Sequence, residues 1–186
     1  MRTKRTPWII RPFTTPDLAN VLEIDAAGYQ MHATQADLEA YRLRPDSLLM
    51  VASHPAPRRR APLAVGFYAA TYLEDFDAAG REWPYYHLDR LAVDPDNRRR
   101  GVAAALLADL VARLKTDEPR PRQKAVAYID EDNLPAQLCA RAAGWRCTGA
   151  TEPCTPRPAA AAIAKTLYRF EYRLSWPSVK ITNRLT

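Results

Sequence analysis

The chain has 186 residues, 47% of them hydrophobic, and a formal net charge of +6, which describes one domain of ordinary size, long enough to bury a sizeable core. No run of about 18 apolar residues occurs, which argues against a transmembrane helix, and the basic start Met1-Arg2-Thr3-Lys4-Arg5-Thr6-Pro7 lacks the apolar stretch of a signal peptide. Cys139, Cys147 and Cys154 are odd in number and without paired metal-ligand spacing, so they read as reduced thiols of a cytoplasmic protein with no metal site.

Residues 1–7 are expected as a basic tail, 8–176 as the folded domain and 177–186 as a C-terminal tail. Trp8-Ile9-Ile10-Arg11 reads as a first strand stopped by Pro12. Thr14-Thr15-Pro16-Asp17 starts a helix with a hydroxyl cap, a proline in the first turn and an acid near the positive end. Leu18, Val21, Leu22 and Ile24-Asp25 follow as its periodic face. Thr34, with Asp37 in the reciprocal capping position, starts a second helix through Leu38, Tyr41 and Leu43. Leu48 to Ala52 is a short buried strand, 53–62 an exposed hairpin connection rich in proline and arginine, Leu63 to Tyr72 a strand, and 74–84 a polar loop. Tyr86 to Val93 is the central strand, and a helix over 101–115 follows it.

Pro119 and Pro121 break the chain before a strand Lys124–Ile129. A helix from Leu134 to Ala143 ends at Gly144, a C-cap position. Trp145–Thr148 is a strand and 151–164 a loop rich in proline and alanine. In the last strand Tyr168, Phe170, Tyr172, Leu174 and Trp176 alternate with Arg169, Glu171, Arg173 and Ser175, a period that predicts one buried and one wet face. Strands and helices in this order give an α/β or α+β architecture on a mixed sheet.

Arg98, Arg99 and Arg100 meet Gly101 where the central helix begins, and Val102, Leu106, Leu110, Val111 and Leu114 recur at helical spacing behind them. The first turn of a helix has free N–H groups and a partial positive charge. Three arginines there are locally unfavourable unless an anion sits on that turn, with Gly101 allowing close approach of the backbone. A solvated basic turn is the alternative, since charge effects at helix ends are only ~0.3–1 kcal/mol. The positive balance suits an anionic cofactor, an acidic protein surface or nucleic acid. No nucleic-acid motif accompanies it, so solubility and cofactor attraction are the expectation. The six glycines are too dispersed for a dinucleotide fingerprint or an ATPase-type phosphate loop.

Arg98-x-x-Gly101-x-Ala103 after Leu91-Ala92-Val93-x-Pro95 resembles the acyl-CoA pyrophosphate loop of the GNAT acetyltransferase superfamily. Asn133-Leu134-Pro135-Ala136-Gln137-Leu138-Cys139, then Gly144-Trp145, is similar to the family's Asn-x-x-Ala helix closed by Gly-Phe. The resemblance spans residues 8–175, and its Asn-Leu-Pro-Ala-Gln-Leu wording is similar to bacterial enzymes related to ribosomal-protein alanine N-acetyltransferase. It implies a mixed, mainly antiparallel twisted sheet of about seven strands flanked by about four helices, and acetyl-CoA as cofactor. It also implies roles for particular residues. The backbone of Leu91, Ala92 and Val93 pairs with the pantetheine arm, and amides of Arg98, Arg99, Arg100, Gly101, Val102, Ala103 and Ala104 hold the pyrophosphate. Asn133 contacts the pantetheine, and Ala136 of the same motif counts among the cofactor-binding residues. The thioester enters where strands 86–93 and 124–129 splay. For Asn133 an N-cap of the following helix is equally expected, and the two roles are compatible.

Acetyl transfer from a thioester to an amine needs a deprotonated amine, a stabilised carbonyl oxygen and a protonated leaving thiolate. His87 is the first candidate base. Period two places His87, Asp89, Leu91 and Val93 on one face. In several GNAT subfamilies a catalytic Glu or His stands four residues before the Leu91 position, and arylalkylamine N-acetyltransferases carry another two residues later, where Asp89 stands here. Imidazole titrates near neutrality and suits the task, with Asp89 to orient it. A structural histidine at a strand start is the alternative; His32 and His54 fall in loop or helix-edge settings.

Two departures stand out. Seven residues after Asn133, where many GNAT enzymes have a Tyr as general acid, this chain has Ala140; five before, where alanine acetyltransferase relatives have a basic Glu, it has Tyr128, and Glu131 is offset. Tyr128 would supply a phenol to the thiolate or simply line the cleft. Losing one acid–base group costs ~100- to 10,000-fold in rate, so the chain either uses His87 and water or is a degenerate acyl-CoA binder. Residues 25–45 and the loops 74–86 and 151–164 should shape the acceptor site. Glu74, Asp75, Asp77 and Glu82 would attract a cationic amine (a peptide N-terminus, a polyamine, an aminoglycoside) or form an ordinary solvated loop. The expectation is an acetyl-CoA-dependent N-acetyltransferase, monomer or homodimer, acting on a protein N-terminus by direct attack. Its rivals are small-molecule amine acetylation, a non-catalytic acyl-CoA-binding module and, on charge alone, a nucleic-acid binder.

Overall fold

The structure, a computed structural model, describes residues 8–54, 63–73, 85–116, 124–151 and 167–173. Both expected tails, most of the hairpin connection 53–62, the polar loop 74–84 and the proline- and alanine-rich loop lie outside them. Short-range signals set the first elements. After β1 (Ile9–Pro12), Asp17 accepts from the Thr14 N–H and hydroxyl at 2.9 and 2.7 Å and opens a 3-10 turn, Thr15–Asp17, that runs into α1 (Leu18–Gly28). Asp17 is 4% exposed and also takes both Arg11 Nη atoms at 2.7 Å. Burial pushes its carboxyl up, but the Arg11 and Thr14 donors outweigh burial and hold it below the usual carboxylate range. Helix α2 (Gln35–Leu43) carries the reciprocal Thr34–Asp37 cap expected from its sequence.

The remaining elements are β2 (Ser47–Ser53), β3 (Ala64–Leu73), β4 (Tyr85–Val93), α3 (Val102–Thr116), β5 (Lys124–Asp130), α4 (Leu134–Ala142), β6 (Arg146–Thr151) and β7 (Leu167–Arg173). The strands form one seven-stranded sheet in the order β1-β2-β3-β4-β5-β7-β6. Every neighbouring pair is antiparallel except β4 and β5, which are parallel. This is the mixed, mainly antiparallel sheet with four helices that the resemblance implied. No helix among the described residues is long and apolar enough to cross a membrane.

A core lies on each face. Helix α3 buries Val102, Leu106, Leu107, Leu110 and Leu114 against Tyr68, Tyr86, Ala125, Ala127 and Phe170 of the sheet; Leu107 takes the fully buried place expected of Val111, which is half-buried. On the other face Val21, Ile24 and Leu38 of α1 and α2 pack on Leu49, Val51, Phe67, Ala69 and Ala92. These two helices lie over β2, β3 and β4, and the same face of β5 and β7 carries Lys124, Tyr128, Arg169, Glu171 and Arg173 beside the buried Val126.

Two expectations are corrected. First, β4 is not regular. Its register against β3 passes from Ala70↔Leu88 to Ala69↔Arg90, which leaves Asp89 as the extra residue of a β-bulge. Tyr86 and Leu88 before the bulge, and Leu91 and Val93 after it, all belong to the α3 side. His87 and Asp89 therefore face α1 and α2 together with Ala92, and do not share a face with Leu91 and Val93. Second, β7 does not have one wet face. Phe170 is buried, but so is Glu171, 3% exposed, because cations from its own strand and from β5 surround its carboxylate. Leu174, Trp176 and Ser175 lie outside the described residues.

Candidate active site

The bulge places the chemistry. Asp89 Oδ1 lies 2.7 Å from His87 Nδ1, Asp89 Oδ2 accepts from the Thr71 hydroxyl at 2.7 Å, and the Tyr41 hydroxyl of α2 also bonds Asp89. Burial, and next the charge of Asp89, push the Tyr41 phenol up to about 12, so it remains a donor at neutral pH. Three donors on one carboxylate fix its orientation, and the carboxylate fixes the imidazole, with Nδ1 facing Asp89 and Nε2 turned away from it. His87 and Asp89 side chains are 26% and 21% exposed, open enough to meet a substrate. The Tyr128 ring lies 5.5 Å from that of His87, centroid to centroid, and is 42% exposed. The structure thus brings His87, Asp89 and Tyr128 together. Ala140, where a general acid was looked for, is buried in the α3 core and offers no polar group. His54 stacks on Trp8 with centroids 4.5 Å apart, away from these residues in the sheet.

The cleft between strands is present. Pairing of β4 with β5 runs from Tyr85↔Lys124 to Leu88↔Ala127 and stops there, while β4 continues to Val93 and β5 to Asp130. Within the cleft the Tyr29 hydroxyl accepts from the Leu91 N–H at 2.7 Å and donates to the Leu91 carbonyl at 3.1 Å. Burial pushes the Tyr29 phenol up, and the Arg90 guanidinium sits 4.8 Å over its ring. Arg90 is itself held by the fully buried Asp25 at 2.7 Å and by the Met31 carbonyl. Sequence reasoning missed Tyr29, Asp25 and Thr71, because each acts on β4 from a distant part of the chain. Beside Tyr41 opens a depression of about 330 Å³ lined by Met31, His32, Asp37, Arg44 and Arg90 among others.

At the far end of β4 the basic turn leads into α3. Arg99 has φ +60° and Gly101 φ +85°, two left-handed residues either side of Arg100, in the kind of turn that offers backbone N–H groups to an anion. Gly101 is required there by conformation, since the left-handed region penalises a side chain. Amides of Val102, Ala103 and Ala104 form the first turn of α3 and have no intrahelical acceptor. The Arg98 side chain is directed elsewhere: Nε donates to the Val93 carbonyl at 3.2 Å and Nη2 to the Ala27 carbonyl at 3.3 Å, stapling the end of α1 to β4. Trp8 Nε1 donates to the Arg100 carbonyl at 3.2 Å. The donors present fit a diphosphate: a free helix N-terminus, a left-handed turn and exposed Arg99 and Arg100.

Two side chains of the second motif hold α4 in place. Asn133 Oδ1 accepts from the Ala136 N–H at 3.2 Å, an N-cap. Gln137 Nε2 donates to the Asp130 and Glu131 carbonyls, each at 3.0 Å, and ties α4 to the end of β5. Cys139 and Cys147 are free thiols; burial pushes the Cys139 thiol up, which favours its protonated form. The acidic residues Glu74, Asp75, Asp77 and Glu82 lie outside the described residues.

The sequence matches the acetyltransferase (GNAT) family over residues 16–145. No curated protein matches it. Among solved structures, Arabidopsis thaliana NAA60 in complex with a bisubstrate analogue superposes with a TM-score of 0.74 at 18% identity, covering 90% of this chain and 99% of that one. The same plant protein in complex with acetyl-CoA gives a TM-score of 0.72 at 16% identity over 90% and 99% of the two chains. The ribosomal-protein-S18-alanine N-acetyltransferase of Escherichia coli gives 0.68 at 15% identity over 94% and 99%. With a family match over most of its length, on a seven-stranded sheet whose parallel strands part beside a helix N-terminus, the chain belongs to the GNAT family of acetyl-CoA-dependent acetyltransferases.

Proposed function

We propose that this chain moves an acetyl group from acetyl-CoA to the α-amine of a protein N-terminus by direct attack in a ternary complex. The observation that carries the mechanism is the His87–Asp89 pair, 2.7 Å apart, standing beside Tyr128 where β4 and β5 part. Bound acetyl-CoA supplies an acetyl group activated as a thioester. The amides of the turn at Arg99 to Gly101 and of the first turn of α3 would hold its diphosphate, and the edge of β4 its pantetheine. An acceptor ammonium gives up two protons in becoming an amide. His87 Nε2 takes the first, directly or through water, with Asp89 stabilising the imidazolium. The second offsets the proton that the departing sulfur takes up, for which Tyr128 is the nearby phenol. Strand amides at the parting of β4 and β5 hold the carbonyl oxygen as charge develops. The protein acceptor rests on the likeness to the Escherichia coli enzyme, whose name specifies an alanine of a ribosomal protein.

One observation favours a second reading. Ala140 is buried and apolar, so α4 brings no acid to the cleft, as a non-catalytic acyl-CoA binder would allow. Thiol release from acetyl-CoA, measured against a panel of N-terminal peptides and polyamines, decides between them. Turnover with a peptide supports the transferase; turnover with polyamines alone moves the acceptor to small amines. Stabilisation by acetyl-CoA, ~2.7 kcal/mol at 100 times the dissociation constant, without turnover of any amine leaves the binder.

A further inference from the structure

We propose that the acceptor carries an anion close to its amine, a carboxylate on the second or third residue of the peptide, received by Arg169 on β7; this rests on the transferase reading above. The register lays out the face of the sheet beside α1 and α2. Thr71, His87, Val126 and Glu171 follow one another across β3, β4, β5 and β7, and Tyr128 stands opposite Arg169. The dyad and the Glu171 row are two strand spacings apart, roughly 10 Å.

Around Glu171 the charge is predominantly positive. Arg169 Nη2 reaches Glu171 Oε1 at 2.8 Å, Arg173 reaches Oε2 through Nη2 at 2.7 Å and Nε at 2.8 Å, and Lys124 Nζ lies 4.0 Å from Oε1. Three cations thus share one buried carboxylate. Arg169 is the one that stands opposite Tyr128 in the strand register, with its side chain 31% exposed. Its Nε is buried without a hydrogen-bond partner. The buried Nε is closed to an incoming group, but the exposed part of the planar fork, with Nη2 on Glu171, is suited to an incoming carboxylate. An extended peptide advances about 3.3 Å per residue. With the amine at His87, an acidic side chain on residue two or three spans the distance to Arg169. A polyamine would place its second cation against this cluster and be repelled.

The test reads binding as well as turnover. The probes are N-acetylated hexapeptides with Glu at positions two and three or with Gln at both, and N-acetylglutamate for a small-molecule source, titrated calorimetrically into the protein with coenzyme A present. The Glu peptide should bind about tenfold tighter than the Gln peptide, and the preference should shrink as salt rises from ~0.05 to 0.5 M. Arg169→Gln should reduce the ratio to near one, and Glu171→Gln, which removes the carboxylate competing for Arg169, should raise it. A merely structural role for the cluster moves both variants in the same direction. If Glu171→Gln fails to fold, the salt dependence of the unaltered protein decides alone. Equal binding of the two peptides, or a preference for Gln, overturns the proposal. Tighter binding of N-acetylglutamate than of the Glu peptide overturns the peptide source. Selective binding of the Glu peptide without thiol release would leave this inference standing and defeat the transferase reading.

Discussion

The proposed mechanism stands on the contact between His87 Nδ1 and Asp89, and replacing either member of the pair tests it. In His87→Ala the base is gone, and general-base loss predicts a kcat ~100- to 10,000-fold lower. Asp89→Asn is the sharper experiment. Asp89 receives three donors, from His87, Thr71 and Tyr41. An asparagine offers one oxygen and one NH2 in their place. Rotating hydroxyls on Thr71 and Tyr41 can turn to accept from the NH2, so the fold survives, but the imidazolium loses its ionic partner. A charge-assisted hydrogen bond is worth ~1.5–3 kcal/mol, which converts to a rate loss of ~10- to 150-fold. Initial rates of thiol release at saturating acetyl-CoA, with melting curves run beside them, provide the assay. Both variants should keep the thermal stabilisation conferred by acetyl-CoA, because neither touches the turn that leads into α3. Should His87→Ala turn over at the rate of the unaltered protein, the base assignment is refuted. Should Asp89→Asn lose as much as His87→Ala and also lose acetyl-CoA binding, the bulge is a structural element and not a catalytic one.

Three further outcomes are expected. Tyr29→Phe removes the hydroxyl that occupies both backbone groups of Leu91; the free protein should lose about 1–3 kcal/mol in urea melts while acetyl-CoA binds more tightly, and weaker binding would show that the cofactor does not use that edge. Gly66→Ala would set a Cβ 2.9 Å from Val102 Cγ1 and 3.0 Å from the Ala92 carbonyl, pushing the start of α3 off the sheet; about 1–3 kcal/mol of stability should go, with a weaker Kd for coenzyme A, and an unchanged melt would contradict the contact. Asp17, held below its ordinary value near 3.8, adds stability that is fully present above that value and lost as pH falls through the lower folded value; Asp17→Asn should flatten the urea midpoint against pH in that acid window, and parallel curves for the two proteins would assign the acid loss elsewhere.

What was legible in the sequence was local. Thr14 with Asp17 and Thr34 with Asp37 read correctly because a cap closes over three residues, and the pair is visible in the string itself. The helical stripe of α3 read correctly for the same reason at Val102, Leu106, Leu110 and Leu114, with Leu107 buried in place of Val111. What was not legible came from partners far along the chain. Glu171 looks like a wet-face residue until Lys124 arrives from β5, and nothing near Arg98 in the sequence shows that its guanidinium will reach the Ala27 carbonyl at the end of α1. Tyr29 carries no local signal that its hydroxyl will end on Leu91, sixty-two positions away.

The bulge at Asp89 shows why such a site resists pattern reading. Strict alternation would have kept His87 and Leu91 on one face of β4, and either the imidazole would enter the α3 core or the leucine would face the acceptor. One extra residue resolves the conflict. It lets Tyr86, Leu88, Leu91 and Val93 all supply the apolar face, while His87 and Asp89 meet Thr71 and Tyr41 on the other. The same insertion lies just past Leu88↔Ala127, where β4 leaves β5, so the opening of the cleft and the placing of the base have a common origin. The residue that breaks the period is the one that orients the histidine, and a pattern built on that period passes over both consequences together.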